Sequence, residues 1–209
     1  MAEETEYKVF IVDDDAAVRD SLDALLTAFG YETVCFDSGI VFLEVCEEAC
    51  SGCVLLDIRM PDMNGMEVLA RLNGRRPDLP VIMITGHGDV AMAVRAMKSG
   101  AVDFIEKPIR EEALVESVEA AMQLARRAER QQAVGDAARD SLEKLTPRER
   151  EVLELLVIGR PNKVIAQELD CSPRTVEIHR ARIMEKMSAR SLPHLVRLAL
   201  AAGIEPELN

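Results

Sequence analysis

Asp13-Asp14-Asp15, Asp57, Thr85 and Lys107 are the residues of this 209-residue sequence whose types and placing could do chemistry together. Each lies at the end of a short apolar run: KVFIVDD, CVLLDI, VIMITG and DFIEKP. If those runs are strands of a doubly wound parallel sheet, their carboxyl ends share one edge, where such sheets bind ligands. Carboxylates gathered there repel one another unless a hard cation sits among them. Mg²⁺ suits the place, because it takes oxygen ligands and keeps water and phosphate oxygens in its shell. A lysine and a hydroxyl on neighbouring strand ends add donors for a phosphoryl group. The set points to a Mg²⁺ site at which a carboxylate accepts a phosphoryl group, a recognised nucleophilic reaction. Neither a Walker loop nor a purine pocket accompanies it.

The elements that must position these residues can be read from Lys8 to about Leu124. Four of the strand candidates are those named, and ETVCFD is the fifth. Several are continuous apolar runs, as expected of strands buried on both faces. Between the first two, Val18, Leu22, Leu25, Leu26 and Phe29 recur with helical spacing and Gly30 follows. That is an amphipathic helix with a glycine stop. Five repeats of this alternation give an α/β fold, a doubly wound (βα)5 domain. Asp15 opens the first helix and reads as its cap rather than as a metal ligand.

The segments VDDDAAVRDSL, LLDIRMPDMNGMEVL, ITGHGD and GAVDFIEKP together resemble the receiver domain of two-component response regulators. The resemblance covers residues 8–124 and implies a role for each position. Asp57 is then the phosphoacceptor. Asp13 and Asp14 hold Mg²⁺, Asp57 shares it, and the main-chain carbonyl of Arg59 completes the protein ligands. Lys107 pairs with the phosphoryl oxygens, Thr85 hydrogen-bonds to them, and Phe104 is the switch aromatic that turns inward when the threonine moves. The Lys107-Pro108 bond is expected to be cis. Ile109 departs from the phenylalanine usual in close relatives. An aspartyl-phosphate hydrolase of the haloacid dehalogenase type fits less well, because Asp13-x-Asp15 is followed by Ala16-Ala17 and the acceptor lies on the third strand. The chain is therefore not expected to be an enzyme, beyond slow loss of its own phosphoryl group.

Cys46, Cys50 and Cys53 have the spacing of a radical-SAM cluster motif. With Cys46 and Cys50 one turn apart on a helix and Cys53 opening a buried strand, small buried thiols are preferred to a cluster or a redox sensor. His87, His179 and His194 lie in different elements without metal-ligand spacing; His87 reads as a helix-start residue near the site.

From about Glu111 to Arg130 the pattern is helical and then drifts into QQAVGDAARDSLEK, read as a linker over 126–142 that is helical at its start. The boundaries are thus 1–125 for the receiver and 143–209 for an all-α remainder. There, Thr146-Pro147-Arg148-Glu149 is a capping box with proline at the first helical position. NKVIAQEL, the turn Asp170-Cys171-Ser172 and the helix from Pro173 to about Met187 form a helix-turn-helix. On a helical wheel Val176, Ile183 and Met187 fall on one side, whereas Arg174, Ile178, Ala181, Arg182 and Glu185 fall on the other. An apolar Ile178 among polar neighbours suits a thymine methyl. A last helix starts near Ser191 and stops at Gly203. The stretch LTPREREVLELLVIGRPNKVIAQELDCSPRTVEIHRARIMEKM resembles the LuxR/FixJ-type DNA-binding domain, and the whole chain resembles FixJ-family regulators. That resemblance implies base contacts from Glu177, Ile178 and Ala181. It implies phosphate contacts from Lys163, Arg174, Thr175, His179 and Lys186, with Arg182 on the same exposed face.

Composition agrees with two modules. The chain carries 25 basic and 37 acidic residues, a net charge of −12. The balance is 24 acids to 10 bases over residues 1–125, but 13 to 15 over 126–209. From Arg160 to Arg190 seven bases face four acids, enough to neutralise a few phosphates. No apolar run is long enough to span a membrane, and the acidic start MAEETEYKVF lacks a signal pattern, so a cytoplasmic location is expected. Five cysteines fit thiols in a reducing compartment. The resemblance implies a sensor histidine kinase, double-stranded promoter DNA and RNA polymerase as partners. It further implies a homodimer when phosphorylated, transcriptional activation, and a role in nitrogen fixation or microaerobic respiration.

Overall fold

The computed structural model describes residues 7–46, 50–86 and 90–204, so His87 lies outside the described residues. The chain divides into two compact units, Met1–Glu129 and Arg130–Asn209. In the first, strands β1 (Lys8–Val12), β2 (Glu32–Phe36), β3 (Gly52–Asp57), β4 (Val81–Thr85) and β5 (Asp103–Glu106) form a parallel sheet. Their order is β2-β1-β3-β4-β5. Helices α1 (Ala16–Ala28), α2 (Gly39–Val45), α3 (Gly65–Arg75), α4 (Val90–Lys98) and α5 (Glu111–Glu143) alternate with the strands.

Successive strand residues face opposite ways, so the sheet feeds two apolar layers. Val9, Ile11, Leu55, Ile82 and Ile84 meet Leu22 and Leu26 of α1 and Leu114 and Val118 of α5. Phe10, Val12, Val54, Leu56 and Met83 meet Phe42 of α2, Leu69 and Leu72 of α3 and Ala96 of α4. Each such side chain contributes about 2 kcal/mol by leaving water. The amphipathic stripe of α1 is narrower than expected: Leu22 and Leu26 are buried, but Phe29 caps the helix and stays half exposed. The glycine stop is confirmed, with Gly30 at φ +84°.

The cysteine spacing dissolves in three dimensions. α2 ends at Val45, so Cys46 is its cap and Cys50 lies beyond it rather than one turn along. Cys53 faces the layer of α1 and α5, while Cys46 and Cys50 join the opposite one. Among the described residues no three Cys, His, Asp or Glu side chains are grouped to cage a metal.

The expected linker over 126–142 is helical throughout, because α5 continues unbroken to Glu143. Two things sustain it: alanine-rich sequence with an Asp136–Arg139 pair at 2.6 Å, and burial of Ala138 together with that of Leu142, which joins the second unit's core. Its single interior glycine, Gly135, lies where a β-carbon would stand 3.2 Å from the Ala201 carbonyl oxygen. Among the described residues no helix is long and apolar enough to cross a membrane.

The second unit adds α6 (Pro147–Val157), α7 (Asn162–Glu168), α8 (Pro173–Lys186) and α9 (Leu192–Ala201) around Val152, Leu153, Ile165, Val176, Ile183 and Leu195. The capping box forms: the Thr146 N–H donates to Glu149 Oε2 at 2.9 Å and the Glu149 N–H to Thr146 Oγ1 at 3.3 Å. Glu149 is buried, and Lys186 reaches it at 2.6 Å from the end of α8. Burial pulls that carboxyl's pKa up, but the Lys186 ammonium and the Thr146 donors outweigh burial and hold it below 4.5. A carboxyl lowered on folding stabilises above its unfolded pKa and loses that stabilisation as pH falls through the folded value. Resistance of the second unit to urea should therefore fall below pH 4.5, the ordinary value. Glu149→Ala should cost about 2–3 kcal/mol at pH 7, since it strands a cap and a lysine.

Candidate functional site

Sheet register builds the acidic site. Val12 of β1 stands opposite Leu56 of β3, so the next residue on each strand brings Asp13 beside Asp57. The Asp57–Ile84 pairing of β3 with β4, and the 2.7 Å bond from the Lys107 N–H to the Thr85 carbonyl, bring Thr85 and Lys107 to the same edge. Asp13, Asp57 and Thr85 are all buried, at 2%, 5% and 1% exposure. Such burial of two acids requires a counter-charge.

That counter-charge is Lys107. Its ammonium donates to Asp13 Oδ2 and to Asp57 Oδ1, each at 2.7 Å. The other oxygen of Asp57 accepts from the Arg59 N–H at 2.6 Å, and Asp13 Oδ1 accepts from the Asp15 N–H at 2.9 Å. Burial pushes the Asp57 carboxyl above its ordinary value, and Asp13 pushes the same way, against Lys107 and the Arg59 N–H. Burial alone would lower Lys107, but its bonds to Asp13 and Asp57 raise it. Asp14 and Arg59 stand exposed at the rim, and Asp15 caps α1 as expected, accepting from the Ala17 N–H at 2.9 Å. Phe104 on β5 is half-buried against the layer of α2–α4. The Lys107-Pro108 bond is cis.

Two supports were not singled out in the sequence. Arg19, one turn into α1, donates to the Asp13 carbonyl at 2.7 Å. Gly65 opens α3 so close to the Asp57 carbonyl oxygen that a β-carbon would stand 2.2 Å from it. Asn64 before it caps α3 through the Met66 N–H at 2.8 Å. The signals were present as a basic residue in the first helix and an Asn-Gly step after Asp57, but nothing local ties either to the site.

In the second unit α7 and α8 form the helix-turn-helix. Asp170 takes the left-handed conformation in the turn at φ +48°, and Ser172 caps α8 through the Thr175 N–H at 3.1 Å. Val176, Ile183 and Met187 are buried as expected, whereas Arg174, Glu177, Ile178, Ala181 and Arg182 line the outer face. Lys163 on α7 is also exposed. Ile178 is 47% exposed, which a purely solvated face would not favour.

The remaining expected contacts divide differently. The Thr175 hydroxyl lies 2.8 Å from that of Ser172. His179 is half-buried, and its Nδ1 is enclosed without a hydrogen-bond partner. Lys186 is taken up inside the unit by Glu149 and by the Lys144 carbonyl at 3.0 Å, so a phosphate contact from it must compete with those bonds. Arg180 is likewise internal, donating to Asn162 at 2.6 Å and so joining α8 to α7. Arg160 lies 3.6 Å from Glu168.

Residues 9–119 match the response regulator receiver domain, and residues 143–199 match the LuxR family of bacterial regulatory proteins. The chain is a response regulator with a LuxR-type output domain. It is 49% identical to the transcriptional regulatory protein FixJ of Rhizobium meliloti, across 97% of this chain and 99% of that one. Identity to the response regulator protein TodT of Pseudomonas putida is 42%, across 91% and 84%. Among solved structures, response regulator StyR superposes with a TM-score of 0.77 at 41% identity, covering 93% of this chain and 98% of that one. Full-length FixJ from B. japonicum gives 0.57 at 45%, covering 98% and 100%. This regulator is thus a phosphorylation-dependent transcriptional regulator of a two-component system, with a sensor kinase and DNA as its partners.

The electrostatics of its site have a testable sign. An acid whose pKa rises on folding stabilises below its unfolded value, here 3.8, and that contribution is lost as pH climbs through the folded value. The ionised Asp57 is accordingly a burden on the fold at pH 7. Asp57→Asn, nearly isosteric and neutral, should unfold in divalent-free buffer at a midpoint equal to or above that of the unsubstituted protein. A clearly lower midpoint would mean that the Lys107 bond outweighs burial.

Proposed function

We propose that Asp57 accepts a phosphoryl group from a phosphohistidine of the sensor kinase, and that this converts the regulator into a promoter-binding activator. The observation that supports the reading is the shared ammonium of Lys107, held 2.7 Å from both Asp13 and Asp57. In the reaction an Asp57 oxygen forms a bond to phosphorus as the bond from phosphorus to the imidazole nitrogen breaks. The departing imidazole keeps the electron pair and takes up a proton. Lys107 is positioned to follow the negative charge onto the phosphoryl oxygens, and Thr85, buried one strand away, supplies a hydroxyl for them.

The donor set fits Mg²⁺: Asp13, Asp14 and Asp57 offer hard oxygens, with the Arg59 carbonyl as the expected fourth ligand. An ion that uses at most four protein oxygens and fills the rest of its shell with water needs no full protein cage. When bound, it would neutralise charge on the transferring group. The chain's own residues do the rest. They orient the acceptor, exclude bulk water from it and hold Lys107 charged. No turnover of free phosphoesters is proposed.

On hydrogen-bonding to the phosphoryl oxygens Thr85 would shift and Phe104 would turn inward, changing the α4–β5 face. Dimerisation through that change would present two recognition helices to a two-fold site and raise affinity through effective concentration. Recruitment of RNA polymerase would follow. The likeness to FixJ makes nitrogen fixation or microaerobic respiration the first regulon to examine. The protein is read as cytoplasmic.

Sedimentation and promoter-fragment binding, with and without acetyl phosphate and Mg²⁺, test the switch. Phosphodonor should raise the dimer fraction and tighten DNA binding roughly tenfold or more in the unsubstituted protein and in neither respect in Asp57→Asn. Increased affinity from a protein that stays monomeric would replace dimerisation by relief of inhibition. On DNA, Lys163→Ala should weaken all sequences alike and reduce the salt slope by about 1. Ile178→Ala should cost about 1 kcal/mol at a single A·T position and nothing elsewhere in the site.

A further inference from the structure

We propose that Arg180 is a positioning residue for DNA binding: through Asn162 it fixes the first turn of α7, and with it Lys163, against the recognition helix α8. The proposal rests on the reading of Lys163 as a phosphate contact. The bond that carries it runs from Arg180 Nη1 to Asn162 Oδ1 at 2.6 Å, between half-buried residues 18 positions apart.

The two ends of α7 are held by different means. Toward its C-terminus Ile165 and Ala166 are buried in the same core as Val176 and Ile183 of α8. Beyond them Arg148 of α6 donates to the Leu169 carbonyl, and the Cys171 N–H donates to the Ala166 carbonyl at 2.9 Å. The N-terminal turn lacks a side-chain cap, because Pro161 stands at that position and makes no such bond. Neither Asn162 nor Lys163 belongs to the core, and Lys163 is exposed. A helix of 7 residues gains little from its own hydrogen bonds, so its first turn takes its place from tertiary contacts. Arg180 supplies one from α8.

That place matters on DNA. In a helix-turn-helix the first helix meets the backbone while the second enters the major groove. Phosphate contacts carry no sequence information, but they set the register from which base edges are read. Arg174, Glu177, Ile178, Ala181 and Arg182 line the outer face of α8, whereas Arg180 is turned to α7. Its charge is used within the unit, not on a phosphate. A link already made between the two helices lets Lys163 and the outer face of α8 engage one duplex together, with less freedom left to lose on binding.

The test measures binding of the full chain, with acetyl phosphate and Mg²⁺, to a fluorescein-labelled random-sequence duplex over a range of KCl concentrations. Non-specific binding is chiefly electrostatic, so its salt slope counts the phosphates neutralised. Lys163→Ala should lower that slope by about 1 per bound subunit. Asn162→Ala should also lower it by about 1, although asparagine carries no charge. Arg180→Ala should do the same, and its combination with Lys163→Ala should lower the slope by no more than about 1, since both remove one contact. The affinity losses of Asn162→Ala and Arg180→Ala should likewise not add, because the two residues act through one bond. A strut that only stabilised the unit would leave the slope of the folded protein unchanged.

An unaltered slope in Asn162→Ala would overturn the proposal. So would a fall of about 2 in the variant that combines Arg180→Ala with Lys163→Ala, which would put Arg180 itself on a phosphate. An unaltered slope in Lys163→Ala would remove the phosphate contact and, with it, anything for Arg180 to position. Asn162 lies outside the core, so its variant decides the result even if Arg180→Ala folds poorly.

Discussion

Two carboxylates buried side by side at the edge of a sheet must share a positive charge, and in this protein they share the ammonium of Lys107. That arrangement governs the design of the first unit. Burial gives Asp57 a water-poor setting and an anion that gains from a partner, and Lys107 supplies that partner. The arrangement is held at some expense to folding stability, as is common where function requires a buried charge.

Everything around the site serves to keep that geometry. Parallel pairing of β1 with β3 sets the two acids next to each other, and pairing of β4 with β5 sets threonine beside lysine. Arg19 secures the loop of Asp13 from α1, and Gly65 admits α3 against the carbonyl of Asp57. In the second unit the analogous constraint is Glu149. A capping box at the start of α6 also anchors the end of α8 through Lys186, and Arg180 joins α8 to α7. The exposed side of α8 is left to Arg174, Glu177, Ile178, Ala181 and Arg182 because the inner side and two of its cations are engaged within the unit.

Most of the fold was legible because the local signals agree with one another. Four apolar runs ending in chemistry-bearing residues, a fifth strand between them, and caps at Asp15, Thr146 and Ser172 all form where the pattern places them. The misreadings have specific causes. Phe29 has helical spacing but sits at the cap, where the chain turns away from the core. The stretch after Arg126 is polar and carries a glycine, which resembles a linker; burial of Ala138 and Leu142 supplies the packing that makes it helix.

The sequence alone determined the residue chemistry and its order: which acids, which hydroxyl and which lysine close the strands, and which helix turns its polar face outward. Those follow from period and punctuation, which are local. The tertiary structure decided which groups meet. That Lys107 bridges Asp13 and Asp57, that Lys186 is spent on Glu149, and that Cys46 and Cys50 join one core layer while Cys53 faces the other all depend on strand order and side-chain direction. Contacts between residues up to 94 positions apart are set by the register of a whole sheet, and no short window of sequence contains that register.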